Sequence, residues 1–390
     1  MLKKYLIKNG TILSVLDGSE KKADILVESG IVKKIGADIV PDPDTEVIDA
    51  AGLTITTGWV DAHCHTGVVV NEVGPGIGMN PYDTVLTQGI TYVIEPGTAG
   101  PGNYQKYRED LLYRTDLRYA SYLNMGKWGI NMDRKDTEGP EDVDEALVEE
   151  VFEKYRGEFL GLKIRIDTKF CFDSAYMLEH TRKLADKLGT GMLVHAPRCD
   201  KSIEYVLSYL KKGDVLTHVL AGHTPVMKAV DENGKLKPCI AEASARGVLF
   251  DLGHGTNSFC YDVAEDCWKG GFFPDTVSTD LWVKNYHGPC YNMATVLSKL
   301  RGVTKLPWLE LLRKVTVAPV TLNGLKGKSL EIKEGELADM VAFSVDPGKY
   351  EYKDSFNAAR IVNERLHVHY TCLGDKIYTN NRTDDICAVE

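Results

Sequence analysis

The sequence predicts an α/β protein, a (β/α)8 barrel carrying a small β-sandwich assembled from both chain ends. Three observations lead there. The middle of the chain alternates short β-rich apolar runs with longer amphipathic stretches, which requires parallel strands joined by helices. The two ends share a different texture of short strands and turns. Ionisable side chains recur at one end of the central strands, where barrel enzymes carry their chemistry.

The elements follow in order. Residues 1–57 read as Tyr5–Ile7, Thr11–Leu13, Ala23–Val27, Ile31–Ile35, Glu46–Asp49 and Leu53–Thr56. Eight strands are then predicted: Trp59–His65, Ile90–Glu95, Arg118–Asn124, Leu160–Ile166, Gly191–Ala196, Asp214–Leu220, Val248–Gly253 and Thr276–Leu281. The clearest helices between them are Glu141–Tyr155, with an acidic first turn, and Ala175–Lys187, which stops before Gly189. Residues 58–324 suit a barrel of about 250 residues with insertions. An open doubly wound sheet would not explain where the polar residues fall. Residues 325–390 return to short strands at Ser329–Ile332, Asp339–Ser344, Ile361–Tyr370 and Lys376–Tyr378, so 1–57 and 325–390 are expected to share one β domain. Gly67–Asn80 is a Gly/Pro-containing loop, read as an ordinary surface loop or a lid.

Composition narrows the function. The chain has 390 residues, of which 43% are apolar and 26% charged, ordinary globular usage. Lys and Arg total 46 against 56 Asp and Glu, a net charge of −10 that argues against a nucleic-acid or anionic-membrane surface. Nine scattered cysteines, none spaced C-x-x-C, suggest neither a disulfide framework nor a thiolate zinc site. With no apolar stretch of signal-peptide or membrane-spanning length, a cytoplasmic enzyme is expected.

The chemistry is carried by strand ends. Strand one closes on Val60-Asp61-Ala62-His63-Cys64-His65, strand four contains Lys163, strand five ends in His195, strand six carries His218 and strand eight ends in Asp280. Two histidines two residues apart on a strand face the same side and can share a metal, with Cys64 turned towards the helices. His-x-His is weak alone; the joint pattern is hard to reach by chance.

That pattern resembles the amidohydrolase superfamily of metal-dependent hydrolases. The resemblance rests on Gly58–His65, Gly161-Leu162-Lys163, Val194-His195-Ala196, Thr217-His218 and Ser278-Thr279-Asp280, and extends to the return strand in Gly335–Val341. It implies that His63, His65 and Asp280 bind one divalent ion and His195 and His218 a second. Lys163 would bridge them as a carbon dioxide-derived carbamate, since an ammonium cannot be a ligand. Imidazole and carboxylate donors suit Zn²⁺, with Mn²⁺, Co²⁺ or Fe²⁺ also compatible. Two such ions would generate hydroxide from a shared water and polarise the scissile carbonyl, with Asp280 as general acid/base. Cys64 and Cys171 have no evident base and read as packed thiols.

Other polar groups have softer assignments. His254, in Leu252–Phe259, is a candidate for substrate binding or oxyanion stabilisation. Arg165 and Arg198 compete to hold a substrate carboxylate, and either could instead pair with a local carboxylate. His218 is preferred to His223 as ligand because it lies within the predicted strand. The leading reaction is deacetylation of a small N-acyl or O-acyl amino or hydroxy acid, similar to a dihydroorotase-like and deacetylase-like branch. Cyclic amide hydrolysis, isoaspartyl dipeptide hydrolysis and a non-catalytic scaffold follow in that order. The expected partner is a small-molecule substrate, and the resemblance adds a homo-oligomer.

Overall fold

The computed structural model describes residues 4–389 apart from 68, 69, 72, 73, 76 and 133. Seven parallel strands form its central sheet: β1 (Trp59–Asp61), β2 (Ile90–Glu95), β3 (Arg118–Asn124), β4 (Phe159–Arg165), β5 (Gly191–His195), β6 (Val215–Thr217) and β7 (Leu249–Asp251). They lie in sequence order, each hydrogen-bonded to the next. Residues 276–281 form no regular strand. They nevertheless bridge both edges of the sheet, through Asp251–Thr276 beside β7 and Cys64–Leu281 beyond β1.

Alternation along the strands divides two cores. Val60, Tyr92, Ile94, Tyr122, Leu193 and Val215 pack together on one face of the sheet. The intervening residues Val93, Leu123, Leu162, Val194, Leu216 and Phe250 join the larger cluster that contains the helices. Cys64 belongs to that second cluster, as its parity predicted.

The two best-marked helices have identifiable ends. Ser174–Leu188 starts on Asp173, whose carboxylate accepts from the Ala175 and Tyr176 amides, and stops at left-handed Gly189. The helix predicted over 141–155 begins later, at Glu145–Lys154, because Asp144 caps it through the Leu147 amide. Residues Pro140–Asp142 form a separate 3-10 turn.

Both chain ends feed two further sheets. One has four strands, in the order Ile31–Gly36, Asp24–Glu28, Lys4–Lys8, Glu46–Asp49. The other has six, in the order Lys376–Thr379, Ala359–Leu373, Asp339–Lys353, Thr54–Thr57, Thr11–Leu13, Glu20–Lys22. Tyr5, Ile25 and Val27 from the first sheet and Ile55, Met340 and Cys372 from the second share one buried cluster. The Asp339–Lys353 and Ala359–Leu373 strands run past their predicted ends as a long hairpin, absorbing Pro347 and Gly348 at a register shift. Ser329–Ile332 is irregular with a bend at Leu330 and Glu331 rather than the predicted strand. The lid reading of Gly67–Asn80 falls partly on residues outside those described; of the rest, Thr66 bridges Met79. Among the described residues no helix is long and apolar enough to cross a membrane.

Candidate metal centre

The polar residues gather where the parallel strands end. His63, His65 and Asp280 each offer a ligand atom, all within 4.8 Å of one another. His65 Nε2 lies 3.1 Å and His63 Nε2 3.5 Å from Asp280 Oδ1, and His218 Nε2 lies 4.0 Å from Oδ2. The imidazoles form a chain, with ring centroids 5.6 Å apart for His65 and His63, 5.1 Å for His63 and His218, and 4.5 Å for His218 and His195. Lys163 is buried among them.

Backbone geometry, rather than strand parity alone, aims these groups. β1 ends at Asp61 and β6 at Thr217, so neither His63 nor His218 sits on a regular strand as predicted. Thr217 and His218 can both face the centre because His218 is left-handed, at φ 65°. Asp280 has φ 46° and is held by its amide to the His63 carbonyl (2.7 Å) and by Asn285 Nδ2 to its own carbonyl (2.7 Å). Two non-glycine residues in this region at one centre are a concentration of backbone strain typical of functional sites. Close approach also demands small residues. A Cβ on Gly97 would stand 2.5 Å from Lys163 Cβ, and one on Gly255 would stand 2.5 Å from Asp280 Oδ2.

Outer partners set which imidazole nitrogen is free. His218 Nδ1 bonds the Gly253 carbonyl at 2.7 Å, leaving Nε2 as the unprotonated nitrogen. That Nε2 is buried without a hydrogen-bond partner. His65 Nδ1 meets Thr98 Oγ1 at 2.7 Å, with Glu95 Oε1 3.6 Å away. His63 Nδ1 faces Thr217 Oγ1 (3.2 Å) and Asp251 Oδ2 (3.5 Å). His195 is oriented differently, with Nε2 3.3 Å from Asp167 Oδ2. An orphaned buried imidazole nitrogen, three Nε2 atoms converging on one carboxylate and a buried lysine form a donor set that fits divalent ions.

Electrostatics agree with this arrangement. Burial, then the Lys163 charge, holds His63 well below the usual histidine range, and burial with its His195 neighbour lowers His218 to about 3. Burial and the Asp167 pairing act oppositely on His195, with a net lowering. His65 is pulled down by burial but raised overall by Asp280 and Glu95. Asp280 is buried, yet the surrounding imidazoles hold it below the carboxylate range. Burial lowers Lys163 to about 8. Burial raises both Cys64 and Cys171, the latter to about 12, which leaves neither thiol nucleophilic.

A cavity of about 560 Å³ opens onto this centre. His63, His65, Lys163, His195 and Asp280 lie in it, with Ile77, Ile130, Met132, Phe170 and Trp282 among its apolar walls. Besides Lys163, six basic side chains line it, namely Arg134, Lys135, Arg165, Lys169, Arg198 and Lys284, against the carboxylates Glu138, Asp167 and Asp280. The centre is therefore approached through a basic mouth.

The secondary assignments divide. Arg165 lines the cavity but is already paired bidentately with Asp136. Arg198 makes no ion pair among the described residues; its guanidinium lies 3.3 Å from His223 Nε2, and its amide donates to Asp167. His223 lines the cavity beside it. The role read for His254 does not hold. His254 is fully buried outside the cavity, its Nδ1 on the Gly255 carbonyl and its Nε2 accepting from Lys299 Nζ at 2.9 Å. Its position after strand seven is what suggested a substrate contact, but the ring stacks on Phe259 and supports the loop from behind.

Lys299 was not legible, because it occupies an apolar face of the Met293–Thr304 helix with no polar pattern around it. Its buried amine also donates to the Pro289 and Lys353 carbonyls, at 2.5 and 2.8 Å. Replacing it with methionine strands three acceptors, one buried and two part-buried, and a stability loss of about 2–4 kcal/mol is expected in chemical denaturation. Asp167 and Asp251 were missed as well. Asp167 had a signal, since it continues the alternation Lys163, Arg165, Asp167 towards the cavity. Asp251 had none. It is buried and accepts from Thr217, Thr276 and Ser278, each at 2.8 Å, while facing His63.

The fold and centre are those of a metal-dependent hydrolase. Residues 54–365 match the Amidohydrolase family, and the chain belongs to it. A deacetylase of Enterococcus faecalis is 28% identical over 386 residues, covering 96% of this chain and 99% of the relative. Among solved structures, an adenine deaminase superposes with a TM-score of 0.83 at 28% identity, covering 96% of this chain and 99% of its own. A dihydroorotase also reaches a TM-score of 0.83, at 24% identity and with 97% and 98% coverage.

Proposed function

We propose that this protein is a binuclear metal-dependent deacetylase acting on a small N-acyl or O-acyl amino or hydroxy acid. The observation that carries the reading is the convergence of four imidazoles, Lys163 and Asp280 at the base of one basic cavity, which all of them but His218 line. Residues 276–281 serve here as the eighth stave of a (β/α)8 barrel spanning 58–324. Residues 1–57 and 325–390 make the accessory β-sandwich. The bridges from Thr276 and Leu281 to opposite sheet edges, and the shared core of the chain ends, support that division. The nine free thiols suit a cytoplasmic setting.

His63, His65 and Asp280 would hold one ion, and His195 with His218 a second. Lys163, as a carbamate, would contribute a ligand to both. With a pKa near 8, a useful share of its amine is neutral close to physiological pH, and only the neutral amine can bond carbon dioxide, losing a proton as it does so. The donor set suits Zn²⁺. Bound ions supply Lewis-acid polarisation of the acyl carbonyl and a water of lowered pKa. Asp280 would take the proton of the attacking water and return it to the leaving nitrogen or oxygen. Asp167 keeps the His195 ring oriented through Nε2.

The basic mouth supports a carboxylated substrate over a neutral purine, and Arg198, which lines the cavity, would hold its carboxylate. Arg198→Gln is expected to raise KM for carboxylated substrates by roughly 10- to 100-fold, the worth of a charge-assisted hydrogen bond. It should leave KM for the matching carboxamides nearly unchanged. Acetate release from a panel of N-acetyl and O-acetyl acids, set against ring opening of cyclic amides, tests the reaction. Ring opening without acetate release would replace the deacetylase with a cyclic amidase.

A further inference from the structure

Arg165 occupies the place of a substrate-binding arginine, but its contacts give it a different task. We propose that Arg165 is a positioning residue that clamps the loop after β3 onto the loop after β4, fixing the wall that selects the substrate. This rests on the hydrolase reading above.

Its guanidinium forms a bidentate ion pair with Asp136, with Nε 2.7 Å from Oδ2 and a second nitrogen on Oδ1. The two side chains are only 11% and 4% exposed. The guanidinium also lies over the Phe170 ring, 3.8 Å from its centroid. The Phe170 carbonyl accepts from the Asp136 and Thr137 amides, at 2.9 and 3.3 Å. Asp136 is thus held by the barrel through its side chain and by the second loop through its backbone. Phe170 and His195 form a T-shaped pair, with centroids 5.8 Å apart, so the clamp abuts the candidate metal centre.

The first loop needs such an anchor. Between Asn124 and Pro140 its described residues form no helix or strand, yet they include Ile130, Asn131, Met132, Arg134 and Lys135 of the cavity lining. Diverting Arg165 to a ligand would leave the Asp136 carboxylate buried without its cation, a costly exchange. A committed fork of this kind holds a loop; it does not wait for a substrate.

The experiment compares Arg165→Met, Arg165→Lys, Asp136→Asn and the Arg165→Met/Asp136→Asn double variant. It uses carboxylated substrates, their carboxamides, and backbone hydrogen exchange of the metal-loaded protein. Arg165→Met and Asp136→Asn should each raise KM about tenfold on both substrate types while kcat changes less than about threefold. The double variant should be no worse than either single, as expected for one shared interaction. Arg165→Lys should recover part of the loss, because it restores charge without the fork. Exchange of amides 130–137 should accelerate while β4 stays protected.

A KM penalty confined to carboxylated substrates, with Asp136→Asn like the parent, would make Arg165 a direct carboxylate binder and overturn the clamp. If no substrate is turned over, the functional reading fails separately and exchange alone decides. Unchanged protection of 130–137 in both single variants would then overturn the clamp.

Discussion

Asp280→Asn should lower kcat by about 10³-fold while most of the bound metal is retained. Asparagine keeps the shape and one oxygen donor beside His63 and His65 but cannot take up a proton. General acid–base catalysis by one positioned group contributes roughly 10²–10⁴-fold, and among the described residues no second carboxylate stands in the same place. Asp167 faces His195, and Asp251 is buried behind His63. Asp280 is suited to the role because the surrounding imidazoles keep it ionised in the resting site. The check is kcat alongside metal content. A rate within tenfold of the parent, with metal retained, would remove Asp280 as the proton carrier.

Lys163→Ala carries the second large effect. It should abolish most activity, by about 10²-fold or more, because in the proposed centre both ions would lose their shared ligand. The loss would be chemical rather than architectural. Lys163 is buried at the end of β4, with no hydrogen bond to its amine among the described residues, so removing it strands no partner. Thermal unfolding of the metal-free variant should match that of the metal-free parent to within a few degrees. A large drop in stability without metal would instead make Lys163 a structural residue.

Much of this was legible from the sequence, for reasons visible at individual positions. Ile90–Glu95 and Arg118–Asn124 were read to their true ends because each is an uninterrupted β-prone run between turn residues. The centre was readable because strand ends concentrate ionisable groups in this fold. What stayed hidden was tertiary. The left-handed backbone at His218 and Asp280 turns side chains inward against strand parity, and no residue-type signal announces it. The segment at 276–281 has strand-like composition, yet its regular pairing is reduced to single bridges. Gly253-His254-Gly255 looks like a ligand loop, but burial against Phe259 and Lys299 makes its histidine a support. Arg165 was placed on the correct face. Its partner Asp136 lies 29 residues earlier in an irregular loop, beyond the reach of local pattern.

The central claim is that Lys163 joins two ions in one centre. Metal content per chain tests it most directly, measured for the parent and Lys163→Ala after reconstitution with zinc and bicarbonate. The account predicts about two ions per parent chain, a sharp fall in the variant, and a lower parent value when bicarbonate is withheld. One ion or fewer in both proteins, indifferent to bicarbonate, would contradict it.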